Sequence, residues 1–233
     1  MKIIVTGGAG FIGGHLTEKL LLLGHEVYVI DNESAICSEK YNWNDSAKNY
    51  KIDILDIKSL EEIFKQKIDY VFHLAAETKI SISIENPSKC YDVNVNGTLN
   101  LLNLSKKYNI KRFILASTSA IYGMNEAPHY ENQVPDILNP YASSKLCDEI
   151  LCKTYTNVYN LETISFRFFN VYGERMPDKG SYAPVIAAFK KQIKDGKKLN
   201  ITGDGEQRRD FIHVSDIVEA LTKGAFIDNK CVV

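Results

Sequence analysis

Three glycines, Gly7, Gly10 and Gly13, stand three residues apart behind the short apolar run Ile3-Ile4-Val5. Residues 11–23 follow with apolar positions at helical spacing. A run that short and continuous reads as a strand buried on both faces. The segment therefore reads strand, tight turn, helix. Residues without side chains let a backbone approach a bound group closely, and the next helix offers free N–H groups and the positive end of its dipole. That is a cradle for a pyrophosphate, with Gly7, Gly10, Phe11, Ile12 and Gly13 as the expected contacts. Taken alone, the spacing also fits a plain strand-to-helix turn.

The surrounding pattern supports the cradle. A second strand over residues 25–30 ends at Asp31-Asn32, 18 residues after Gly13. A carboxylate there accepts hydrogen bonds from the adenosine ribose and repels a 2′-phosphate, which favours NAD over NADP. Turn chemistry competes for Asp31, because Asn32 and Ser34 have the same character. Residues 33–49 read as an irregular excursion. A strand is expected over 50–54, with Asp53 and Ile54 at its end to bracket an adenine; a solvated turn is the competing reading. Helices over 59–67, 87–108 and 140–160 alternate with strands over 70–72, 113–115 and 163–169. Such alternation argues for right-handed crossovers, hence α/β class and a doubly wound parallel sheet.

After Asn170 the alternation loosens, and Gly and Pro become frequent, as at Gly173, Pro177, Gly180 and Pro184. We expect a dinucleotide-binding domain over 1–170 and a smaller substrate lobe over 171–233, laid over the carboxyl edge of the sheet. Apolar helical stretches over 182–193 and 217–226 argue against a linker. Cys231-Val232-Val233 reads as the start of a strand, so the lobe is expected to be partial.

Composition narrows the function classes. The 28 basic and 29 acidic residues give a net charge of -1, with no basic excess for nucleic acid or an anionic membrane surface. No apolar run approaches the ~18 residues of a membrane span, and residues 1–10 do not read as a signal peptide, so none is expected. Five cysteines at no repeated spacing fit a reducing compartment, so a cytoplasmic protein is expected. The five histidines have no ligand spacing with cysteines or acids, and no metal site is read. His73 is expected as a packed core residue, His213 as structural, and Cys147 and Cys152 as small hydrophobes.

Tyr141 and Lys145 lie four apart near the start of the 140–160 helix, on one face. An ammonium beside a phenol favours the phenolate and is expected to pull the tyrosine down towards working pH, making it a general acid or base. Such pairs are also common on plain helix surfaces. Here the hydroxyl cluster Ser117-Thr118-Ser119 follows the 113–115 strand and brings a hydroxyl to the carboxyl edge of the sheet.

These segments together resemble the extended short-chain dehydrogenase/reductase family, in its NAD-dependent epimerase/dehydratase branch. The resemblance spans essentially the whole chain. It rests on Thr6-Gly7-Gly8-Ala9-Gly10-Phe11-Ile12-Gly13, Asp31-Asn32, His73-Leu74-Ala75-Ala76, Asn94-Val95-Asn96-Gly97-Thr98, residues 117–123, Tyr141-Ala142-Ser143-Ser144-Lys145, residues 167–173 and residues 209–214. It implies a catalytic group of Thr118, Tyr141 and Lys145, with Leu74, Ala75 and Ala76 lining NAD. It also implies that Asn170 touches the phosphates of a nucleotide sugar and that Arg209 pairs with the diphosphate. A guanidinium grips phosphate bidentately, although a solvated loop explains Arg208-Arg209 equally well.

Dehydratases and decarboxylases of this branch usually carry an acid one or two places after the catalytic hydroxyl. Here those places hold Ser119 and Ala120. The resemblance therefore implies an epimerase acting on a UDP-hexose, glucose to galactose, through a 4-keto sugar with recycled NAD. A dehydratase or reductase on the same scaffold is the runner-up, and a non-catalytic NAD-sensing protein the reading from another class. A homodimer is expected, with residues 87–108 and 140–160 pairing with their symmetry mates. Leu99, Leu101, Leu102 and Leu104 supply the apolar surplus, unless the monomer itself buries them.

Overall fold

The computed structural model describes residues 1–35, 40–177 and 185–227. The chain opens with β1 (Lys2–Thr6), α1 (Phe11–Leu22), β2 (Glu26–Asp31) and β3 (Lys48–Lys51). Next come α2 (Ile57–Phe64), β4 (Tyr70–His73), α3 (Ile80–Glu85) and α4 (Pro87–Tyr91). A π-helical stretch, Asp92–Asn96, joins α4 to α5 (Gly97–Lys107). Then follow β5 (Arg112–Thr118), a 3-10 turn (Ser119–Tyr122), α6 (Pro140–Tyr159), β6 (Glu162–Phe168), β7 (Asn170–Tyr172), α7 (Val185–Lys194), β8 (Phe211–His213) and α8 (Val214–Phe226).

Six strands form one parallel sheet in the order β3-β2-β1-β4-β5-β6. The expected doubly wound α/β architecture is therefore present. Alternation along each strand divides the core. Ile4, Tyr28, Ile30, Val71, Phe113 and Leu115 pack towards α2, α5 and α6. Ile3, Val5, Val27, Val29, Phe72 and Ile114 pack towards α1 and α8. With both faces covered, the central strands read as continuous apolar runs rather than as alternation. The strand order reverses direction between β1 and β4, which opens a crevice at their carboxyl ends. Thr6 and His73 are register partners at that point.

Three elements depart from the sequence reading. The third strand is Lys48–Lys51, not 50–54, because Ile54 leaves the strand and enters the core beneath α5. α3 lies in a stretch where no helix was expected. The long helix over 87–108 is interrupted by the π stretch, which turns Asn94 inward to full burial. Its leucines are also spent inside the chain. Leu101, Leu102 and Leu104 are buried and Leu99 packs partly on the same core, so they supply no surplus for a dimer.

The residues after 170 do start a second, two-stranded parallel sheet, β7-β8. α8, however, returns to the first sheet. Its Val214, Ile217, Val218, Leu221 and Ala225 complete the layer that α1 begins. An amphipathic stretch finds the open apolar face that buries it, wherever it falls in the chain. Residues 182–184 of the expected 182–193 helix, together with Gly180 and Cys231-Val232-Val233, lie outside the described residues. No helix among the described residues is long and apolar enough to cross a membrane.

Candidate active site

The glycine turn is built by close contact. Gly7 has φ +67°, and a Cβ there would meet the Ala75 backbone nitrogen at 2.8 Å. A Cβ on Gly13 would stand 2.1 Å from the Gly7 carbonyl oxygen, so only glycine fits. Gly10 starts α1 with no side chain to cap it, and no acidic residue lies in the first turn. The N–H groups of Phe11, Ile12 and Gly13 thus keep their hydrogen-bonding capacity for an anion. The turn fits a dinucleotide pyrophosphate by this measure.

Asp31, at the end of β2, closes the turn from the other side. Its Oδ2 accepts the Ala9 N–H at 3.1 Å and its Oδ1 the Glu33 N–H at 2.8 Å. Burial raises its pKa, against those two bonds. Asn32 donates to Asp53 Oδ2 at 2.7 Å and so joins the ends of the second and third strands. Ile54 is buried in the core, and a Cβ on Gly97 would lie 2.5 Å from its Cδ1. Its side chain therefore packs on α5. Leu74, Ala75 and Ala76 leave β4 partly exposed, and the Ala75 N–H donates to Thr6 Oγ1 at 3.2 Å.

The catalytic candidates meet at the end of β5. Asn139 caps α6 by accepting the Ala142 N–H at 2.9 Å, with Pro140 in the first turn. That start places Tyr141 and Lys145 one turn apart on the face turned to β5. Ser117 and Thr118 end β5, and the Thr118 hydroxyl accepts the Ala120 N–H at 3.1 Å to start the 3-10 turn. Thr118 also lies beside Tyr141, where its hydroxyl and the Lys145 ammonium both favour the phenolate. Their combined effect does not prevail. Burial is the larger influence, and it raises the Tyr141 pKa above the ordinary value. The expectation of a lowered tyrosine is thus corrected for this state of the site.

The sequence reading missed the partner of Lys145. Its Nζ donates to Asp148 Oδ2 at 2.9 Å, and both side chains are buried. That carboxylate raises the Lys145 pKa in spite of burial. A charged residue three places from Lys145, among Leu146, Cys147, Ile150 and Leu151, was the available signal. Burial raises the Asp148 pKa, against Lys145 and the hydroxyl of Thr98 on α5, which both favour the carboxylate. The same hydroxyl lies 2.9 Å from His73 Nε2, and His73 Nδ1 lies 2.7 Å from Thr6 Oγ1. Burial first, and Lys145 second, holds His73 well below the usual histidine pKa, so it is a neutral core residue.

Asn94, turned inward by the π stretch, was also missed as a support. Its amide exchanges two bonds with the Glu77 backbone, at 2.8 and 3.1 Å, and donates to Ser144 Oγ at 2.9 Å. It fixes the first turn of α6 to the loop after β4. Glu149 is held from two sides. It accepts Ser117 Oγ at 2.5 Å, and from Arg167 the Nε at 3.0 Å and the Nη2 at 2.8 Å.

Asn170 starts β7 and Arg209 lies two residues before β8, so the pairing of these strands brings the two into one region. Asn170 Nδ2 donates to the Asp210 carbonyl at 2.9 Å, and the exposed Arg209 donates to the Arg208 carbonyl at 2.7 Å. His213 caps α8 through the Ser215 N–H at 3.2 Å. Cys152 is buried and Cys147 partly so. Among the described residues no group of three His, Cys, Asp or Glu is placed to hold a metal.

Residues 3–225 match the model of the NAD dependent epimerase/dehydratase family. A putative UDP-glucose 4-epimerase of Methanocaldococcus jannaschii is 39% identical over 220 residues, which are 94% of this chain and 71% of that protein. A UDP-N-acetyl-alpha-D-glucosaminuronate decarboxylase of Bacillus cytotoxicus is 37% identical over 94% of this chain and 69% of its own length. The crystal structure of the UDP-glucose 4-epimerase of Thermotoga maritima with UDP-glucose superimposes with a TM-score of 0.92 at 38% identity, covering 97% of this chain and 74% of that one.

Proposed function

From the premise that the chain belongs to the NAD-dependent epimerase/dehydratase family, and has NAD as its cofactor, we propose that it is a nucleotide-sugar 4-epimerase acting on UDP-glucose and UDP-galactose. The observation that carries the reading is Thr118, Tyr141 and Lys145 gathered at the end of β5, with no acid at positions 119 and 120. The two acids beside the site are already engaged, Asp148 on Lys145 and Glu149 on Ser117 and Arg167. Loss of water from the sugar needs a free proton donor at this place; epimerisation does not.

In this reading Gly7, Gly10 and Gly13 with the start of α1 hold the pyrophosphate, and Asp31 holds the adenosine ribose. Tyr141 takes the proton of the sugar C4 hydroxyl, Thr118 shares a hydrogen bond with the same oxygen, and Lys145 favours the phenolate. NAD, held by these residues, would supply the hydride acceptor for C4 that lets the sugar pass through a 4-keto form and regain its hydrogen on the opposite face. Tyr141 then returns its proton, so no net oxidation remains. Asn170 and Arg209 are assigned to the diphosphate of the substrate. A homodimer through α4, α5 and α6 belongs to the same reading. Residues 1–170 serve mainly the cofactor, and the later residues, apart from α8, the sugar nucleotide.

Incubation with UDP-galactose, without added reductant, tests the reading. UDP-glucose is the expected product. A 4-keto-6-deoxy sugar would make the protein a dehydratase, and binding of NAD with no product would make it a sensor.

A further inference from the structure

We propose that Asp148 is a positioning residue of this site: its buried carboxylate competes with Tyr141 for the single ammonium of Lys145, and so sets the pH at which Tyr141 becomes a base. The proposal deepens the role given to Tyr141 above and rests on it.

The argument starts from charge and burial. Lys145 and Asp148 side chains are 3% and 0% exposed, and their 2.9 Å contact is an ion pair enclosed by protein. An ammonium at that depth is strongly disfavoured without a counter-ion, so the carboxylate accounts for a charged lysine there. Asp148 Oδ1 makes no hydrogen bond. Part of its charge therefore stays uncompensated, and it acts on Tyr141 against ionisation, where Lys145 and Thr118 act in favour. One cation faces two groups that each gain from it. While Asp148 holds that cation, a phenolate beside it would leave the enclosure with net negative charge, and the proton stays on Tyr141.

The other groups around the pair do not trade charge with it. His73, from β4, is held neutral by burial. Cys90 on α4, and Cys147 and Cys152 on α6, are pushed up by burial and remain thiols. Glu149 on α6 is bound bidentately by Arg167 from β6, and Glu77 faces Lys89 at 3.5 Å. Thr98 from α5 adds a hydroxyl and no charge.

The test is a titration of Tyr141 in the full chain by NMR with 13C-labelled tyrosine rings, the signal assigned by its loss in Tyr141→Phe. Asp148→Asn keeps the shape and removes the charge. Its Tyr141 midpoint is expected to fall by about one pH unit or more, the size of effect a freed neighbouring ammonium exerts. The acid side of the pH–rate profile for UDP-galactose conversion should move down with it. The double variant Lys145→Met, Asp148→Asn should return the midpoint to the parent level or above, because no cation is left to share. An unmoved or raised midpoint in Asp148→Asn overturns the proposal. So does a double variant that stays low, since the fall would then owe nothing to the ammonium. Asp148→Ser, smaller and neutral, gives the same reading where the Asn variant does not fold. A shifted titration in a protein without epimerase turnover keeps this proposal and removes the epimerase reading. Turnover with an unmoved titration does the reverse.

Discussion

A Cβ on Gly13 would lie 2.1 Å from the carbonyl oxygen of Gly7, well inside any real carbon–oxygen contact. The obstacle is backbone, so it cannot rotate away as a side chain would. Gly24 is the useful contrast: its φ is +78°, but nothing lies within 4 Å of an added Cβ. Gly24→Ala should cost about 1–2 kcal/mol, the strain of a left-handed alanine alone. Gly13→Ala should cost about 3 kcal/mol or more and also weaken NAD binding, because the turn itself must open. Thermal unfolding of both variants checks this. Equal costs would mean that the turn is loose.

Asp31 is expected to set cofactor choice. NAD should bind more tightly than NADP, since the carboxylate accepts from ribose hydroxyls and repels a 2′-phosphate. Asp31→Ala should weaken NAD by roughly tenfold or more, the worth of a charged hydrogen bond, and affect NADP less. Calorimetry with both cofactors measures it, and comparable affinities in the parent would remove the role.

Tyr141→Phe removes the ionisable oxygen and keeps the ring. Turnover of UDP-galactose should fall by ~10²–10⁴-fold, the typical loss of a general base. Melting temperature should barely move, because no cavity is left. A variant that keeps most of the parent rate would show that Tyr141 only packs at the start of α6.

His73 gives the protein an acid-side weakness. The folded chain holds this side chain neutral, well below its ordinary pKa of 6.5, while the unfolded chain takes up a proton below that value. The unfolded state then binds more protons, so stability falls as pH drops below about 6.5, by up to ~1.4 kcal/mol per pH unit. Above 6.5 the contribution is flat. Urea unfolding at pH 7 and pH 5 should show the loss, and His73→Asn should show a shallower one. An equal slope in the variant would place the weakness elsewhere.

Light scattering at micromolar concentration should report a homodimer. The four leucines of the 97–107 helix do not support it, but Tyr91, Ile150, Val158 and Tyr159 on α4 and α6 are 37%, 56%, 61% and 43% exposed. Ile150→Asp with Val158→Asp should give a monomer. A monomeric parent would end this reading.

By itself the sequence determined the parts governed by local physics. Glycines at fixed spacing, a four-residue Tyr–Lys interval and continuous apolar strands carry their meaning within a few residues. From them the parallel sheet, the tight glycine turn, the position of Asp31 at the end of β2 and the placing of Tyr141 and Lys145 one turn apart on α6 could all be read. Other features depended on contacts between distant segments. Ile54 resembled the end of a strand until the space under α5 took its side chain. α8 resembled part of a later lobe until the bare face beside α1 claimed it. The direction of the Tyr141 shift was decided in the same way. Spacing shows that an ammonium is near, but desolvation and the Asp148 carboxylate arise only when α6 is closed in by β5 and α5. Charge balance inside an enclosure depends on every group around it, and only the tertiary structure brings those groups together.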